Sequence, residues 1–175
     1  MRTRTLHILL GVSAALFVVS QVNIVLALGS IGPEFFALQT TLSADTFRDI
    51  VTGWSPEELT RYREHLAWDT VHPLLYGSLL LIWSLVVHRH GEVSEWRLPL
   101  LVTLSVLPSV LDYVENAIHI YLDVHRDAID TLSVLAAGLA ADLKWLCAGV
   151  VVVWLLAASV RVARGPQVRG PRQTG

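Results

Sequence analysis

The residues able to do chemistry are concentrated in two short runs. In HLAWDTVHPLLYG, His65, Asp69, His72 and Tyr76 are spaced by four, three and four; in LDYVENAIHIY, Asp112, Glu115, Asn116 and His119 fall at offsets of zero, three, four and seven. On a continuous helix either spacing sets four polar groups on one face. Asp112 and Glu115, one turn apart, reach the same point in space and form the kind of paired carboxyl that general acid/base chemistry uses, with His119 or Tyr76 as a proton relay. Lys144, the only lysine, stands in AADLKWLCAGV and can carry the countercharge for that pair. Asp142 is two residues away and nearly opposite around the helix, so Lys144 is assigned inward and Asp142 to a side groove or interface.

The same residues offer a metal reading, with Asp69, His72, Glu115 and His119 as mixed nitrogen and carboxylate ligands suited to zinc or iron. The sequence contains no H-E-x-x-H and no repeated aspartate motif of the kind expected at a diphosphate-binding site. The expectation is therefore no metal and no cofactor.

These groups must be positioned by apolar elements. Of the 175 residues 53% are hydrophobic and only 16% charged, with a mean hydropathy of +0.54, which excludes an ordinary soluble domain. The apolar residues are bunched into stretches at about 6–29, 70–88, 98–122 and 132–160, each long enough to cross about 30 Å of hydrocarbon. The fold class expected is an all-alpha integral membrane protein, a four-transmembrane-helix bundle occupying 1–160. A basic tail, 161–175, rich in Gly, Pro and Arg, reads as a disordered end. Four spans and their connections use nearly the whole chain and leave no room for a separate catalytic or cofactor domain.

Arg2, Arg4, Arg89, Arg97, Arg161, Arg164, Arg169 and Arg172 all fall on one side of such a bundle, whereas the other side is rich in Asp and Glu. The bias places both termini in the cytoplasm and the protein in the plasma (cytoplasmic) membrane. The first stretch is longer than a signal-peptide core and contains Gln21 and Asn23, so it is read as a retained span whose amides bond to neighbouring helices or to a substrate. Cys147 is the only cysteine and reads as packing; a net charge of −2 gives no reason to expect nucleic acid.

The first external segment carries a helical cap at about 43–68. Ser55-Pro56-Glu57-Glu58 is a helix start with a capping box, and Leu59, Tyr62 and Leu66 share a stripe on the helix that follows. A shorter helix over 44–51 follows Ser43. Trp54 and Trp68 are read as interfacial anchors. Pro73 suits a first turn if the second span starts near Asp69, and Pro108 interrupts the third span beside the polar run.

Ionisable groups inside spans are costly when they face lipid, so the polar face should look inward. Asp69, His72, Tyr76, Asp112, Glu115, Asn116, His119 and Lys144 are expected to line a water-accessible cavity in the outer half of the bundle. The leading reading is an intramembrane enzyme that protonates, isomerises or cyclises a lipid or isoprenoid-like substrate, with Asp112, Glu115, His119, Tyr76 and Lys144 catalytic. Asp69, His72, Asn116, Asn23 and Gln21 would bind the substrate. One alternative is binding or proton-coupled transport of a lipid or hydrophobic small molecule, for which a homodimer would supply the extra walls. Another is a structural network that fixes helix packing. In general design the chain resembles the emopamil-binding and sigma-2 receptor type of membrane domain, through Asp69, Tyr76, Asp112 and Glu115. The resemblance implies a hydrophobic ligand and transfers neither a reaction nor a catalytic residue.

Overall fold

The computed structural model describes residues 3–165. Arg2, Arg169, Arg172 and the part of the basic tail after Gly165 lie outside the described residues. The described residues are all helix, turn and short connection. The long apolar elements are α1 (Thr3–Leu28), α5 (His72–Arg89), α6 (Leu98–Val124) and α7 (Thr131–Arg164). Three shorter helices sit between the first two of these: α2 (Gly32–Thr40), α3 (Ala44–Gly53) and α4 (Pro56–Trp68). Among the described residues three helical stretches are long and apolar enough to cross a bilayer, or up to four if α4 and α5, bent by 41° at their junction, count as one span. The fold is thus all-alpha, with long apolar helices consistent with a membrane-spanning bundle and three shorter helices at one end. Large apolar side chains left exposed along α1, α6 and α7, among them Val19, Leu26, Val110, Leu146 and Val153, supply the surface that hydrocarbon would cover.

The cap folds by local rules. Ser43 accepts from the Thr46 amide at the start of α3, and Ser55 and Glu58 form a reciprocal capping box at the start of α4 with Pro56 as its first residue. Bonds from Ser55 hold the partly exposed Glu58 carboxyl below its ordinary value of 4.5. Helix α2 is an addition to the expected cap, although Pro33 in its first turn and Glu34 at its positive end are ordinary start signals. Trp54 is a correction. Instead of anchoring at an interface, it is buried in the cap core and donates its indole N–H to Glu34, whereas Trp68 is exposed.

Helix α1 packs on α4 and α5, α5 on α6, and α6 on α7, while α2 leans on α7 and closes the cap end. Among the described residues α1 and α7 make at most marginal contact, so the bundle is loosely closed along that side. Two close approaches set the spacing. A Cβ on Gly77 of α5 would collide with the Ser109 side chain of α6, and one on Gly138 of α7 would collide with the Thr41 carbonyl after α2. Ser109 stands beside Pro108, in an uninterrupted α6, and donates across the same gap to the Pro73 carbonyl at 2.7 Å.

Two apolar clusters divide the interior. One joins Ile24 and Leu28 of α1 to Phe35, Phe47, Trp54, Tyr62, Leu122 and Val134 at the cap end; the other joins Leu80, Val87, Leu101, Val151 and Leu155 toward the far end. Along α6 and α7 the residues between the clusters include Asp112, Glu115 and Lys144.

Candidate functional site

The polar layer centres on Lys144, which points inward from α7 and is 5% exposed, while Asp142 faces outward as expected. Its Nζ donates to Asp112 Oδ1 at 2.9 Å and makes an ion pair with Glu115 Oε2 at 2.6 Å, without hydrogen-bond alignment. Asp112 Oδ2 accepts from the Tyr76 hydroxyl at 2.9 Å. The network therefore joins α5, α6 and α7 through one carboxylate and one ammonium. A charge removed from water is tolerated only with such compensation, so the arrangement fixes which faces of these helices meet.

A second branch ties α6 to the cap. Asn116 donates to Asp69 Oδ2 at 2.9 Å and, more weakly, to the Asp69 carbonyl at 3.4 Å, at the break between α4 and α5. One turn further on, the His119 ring shares a 3.0 Å hydrogen bond with the Tyr62 hydroxyl of α4. His119 is sealed beneath the cap by Phe35, Phe47 and Tyr62, so it does not connect the acids to an outer surface. These contacts form a structural polar core that stabilises helix packing.

Beside this core is a cavity of about 500 Å³. Its walls come from Phe17, Ile24 and Leu28 of α1, Phe35 of α2, Leu79 and Trp83 of α5, and Ala148 and Val152 of α7. It lies between α1 and α7, and it reaches the surface at Val25, Phe36 and Trp145, all more than half exposed. Phe36 and Trp145 face each other across this mouth with ring centroids 6.2 Å apart.

The polar end of the cavity presents Gln21, Gln39, His65, Asp69, His72, Tyr76, Asp112 and Lys144. The His65 to Tyr76 run thus reaches one space although the helix breaks after Trp68; a 41° bend at Asp69–Val71 replaces the continuous face. Glu115, Asn116 and His119, expected to line the same space, stand behind its wall, and Glu115 is fully buried. Asn23 is half-buried and away from the cavity lining. Asp69, His72, Glu115 and His119 do not converge as ligands: among the described residues no three His, Cys, Asp or Glu side chains are placed to hold a metal ion.

Two contributors, Ser20 and Gln39, do not stand out in the residue pattern, and His65, which does, takes its setting from the fold. Ser20 of α1 shares a 2.9 Å hydrogen bond with His72 Nδ1 and thereby fixes that ring against α1. Gln39, from α2, lines the cavity while only 5% exposed. His65 also lines it, with neither ring nitrogen hydrogen-bonded and its ring edge-on to Phe35 at 4.3 Å. Ser20 and Gln39 have a legible signal, a polar side chain in an apolar or amphipathic run. Their partners are set only by tertiary packing. Comparison with family models, curated proteins and solved structures finds no match to this chain.

Proposed function

We propose that the protein binds an apolar, lipid-sized molecule taken sideways from the bilayer, and that its charged network is the brace that holds the binding cavity open. The observation that carries this reading is the cavity itself. About 500 Å³ of apolar-walled space lies between α1 and α7, which make at most marginal contact, and ends against a buried polar layer. That volume lies within the range of small-molecule sites, about 300–1,000 Å³, and the combination of apolar walls with a few convergent polar groups is their usual composition. A network serving packing alone would not require a neighbouring void, because empty space beside a buried ion pair forfeits dispersion contacts.

Acid/base chemistry on the bound molecule is a second reading, favoured by Tyr76 and Asp112, which both line the cavity and share a hydrogen bond. It rests on that pair rather than on Asp112 with Glu115, since Glu115 lies behind the wall.

The test is mass analysis of molecules that co-purify with the protein from its native membrane, compared with an Ala148→Trp variant. Ala148 lines the cavity and is half-buried, so the indole fills the space from its wall. A stoichiometric apolar molecule present in the wild type and lost from the variant supports binding. Chemical conversion that disappears in Asp112→Asn, with the molecule still bound, favours the enzymatic reading.

A further inference from the structure

The cavity's polar end narrows the chemistry of what it holds, an inference that rests on the binding reading above. The charges nearest it are largely engaged. Lys144 is occupied by Asp112 and Glu115, and both Asp112 oxygens have partners. An anionic head would have to displace a buried carboxylate from the lysine.

What remains unengaged is a set of donors and acceptors facing one space, His65 with its two unbonded ring nitrogens among them. Gln39 and Gln21 make no side-chain hydrogen bond among the described residues, although Gln39 is 95% withdrawn from solvent. Asp69 is equally buried and accepts from Asn116 through Oδ2 alone, so Oδ1 is left to accept another donor. Buried polar groups are expected to have partners, and an amide left without one costs about 1–3 kcal/mol. A partner that gives a proton to the carboxylate and takes one from an amide N–H satisfies both groups with one atom.

A hydroxyl does both, whereas an ammonium leaves the amide N–H without an acceptor and a carboxylate leaves Asp69 without a donor. We infer that the cavity receives a neutral apolar alcohol, its hydroxyl donating to Asp69 and accepting from Gln39, with Gln21 at the α1 side and its hydrocarbon body against Phe17, Leu79 and Trp83. Helix α2 then has a specific role, since it lowers Gln39 over the polar end and closes the cap side of the site.

The experiment measures equilibrium binding of four tritiated probes with one skeleton, hexadecanol, hexadecane, hexadecylamine and palmitate, to the full-length protein in nanodiscs. Hexadecanol is expected to bind about tenfold more tightly than each of the others, the effect of roughly one well-made hydrogen bond. Gln39→Leu should bring hexadecanol and hexadecane within about threefold of each other. Gln21→Leu, at an exposed position where folding is not at stake, should narrow the difference in the same direction. Tighter binding of the amine or the acid, equal binding of alcohol and hydrocarbon by the wild type, or an alcohol preference untouched by both variants overturns the hydroxyl assignment and leaves the cavity reading standing. Saturable binding of none of the four overturns the cavity reading and this inference together.

Discussion

Lys144 Nζ stands 2.6 Å from Glu115 Oε2, and that carboxylate is fully buried and absent from the cavity lining. The relationship separates two roles that the spacing of Asp112 and Glu115 makes look like one. Glu115 holds Lys144 from behind, while Asp112 holds it from the cavity side and also receives Tyr76. The lysine is thereby locked between α6 and α7 at the level where the cavity ends.

Breaking that arrangement from one side should be far worse than removing it. Lys144→Met leaves two buried carboxyls without their cation and should destabilise the protein by about 3–5 kcal/mol, the usual cost of stripping one partner from a buried pair. The triple variant Lys144→Met, Asp112→Asn, Glu115→Gln should recover a large part of that loss. Unfolding midpoints in mixed detergent measure both. A single variant as stable as the wild type would contradict the bracing role.

The helix spacing can be tested without touching a charge. Gly77→Ala forces a Cβ onto Ser109, and Gly138→Ala forces one onto the Thr41 carbonyl, so each should cost about 1–3 kcal/mol through overpacking. Gly149→Ala is the comparison, because a Cβ there meets open space and should leave the unfolding midpoint unchanged or slightly raised.

The capping box gives a pH signature. The folded-state Glu58 carboxyl is held below its ordinary value of 4.5 by bonds from Ser55. A depressed acid contributes stability that is fully present above the unfolded value and is lost as pH falls through the folded one. Glu58→Gln removes that ionisation. Its midpoint should therefore lie below the wild type's at pH 7, and the gap should close on acidification below about 4.5. A gap that is constant with pH would show that the charge contributes nothing at this helix start.

Much of this architecture is legible in the residue pattern because its causes are local. The apolar stretches, the Ser55 start, the shorter helix after Ser43 and the inward turn of Lys144 away from Asp142 each follow from helical period or capping chemistry. The division of labour along α6 is not legible in that way. Asp112, Glu115, Asn116 and His119 share a face, but α4 and α7 cover different parts of it, so a periodic stripe becomes one cavity residue and three packing residues. The break at Asp69–Val71 is similar: Pro73 signals a helix start, yet only packing against α1 and α6 sets the 41° bend that still brings His65 and Tyr76 to one space. Gln39 is legible as a polar side chain but not as a cavity residue, because a nine-residue helix with weak amphipathicity carries little periodic signal.

The cap's hold on α6 has its own test. Tyr62→Phe removes the hydroxyl shared with His119 and leaves a buried ring nitrogen unpartnered, which should cost about 1–3 kcal/mol. Hydrogen exchange read over α4 and the end of α6 should rise together if the bond couples them. A rise confined to α4 would show that His119 is held by its aromatic neighbours alone.

Saturable labelling by an apolar photoprobe decides whether the cavity is a binding site. A diazirine derivative of hexadecanol is added to the protein in nanodiscs, with and without excess unlabelled hexadecanol, and the labelled peptides are mapped. The competable label is expected on Phe36, Leu79, Trp83, Trp145 and Ala148, around the opening between α1 and α7, and Ala148→Trp should abolish it. Competable label absent from those residues, or labelling confined to the outward faces of α1, α6 and α7 and indifferent to competitor, would contradict a binding cavity and leave the polar layer as a packing network.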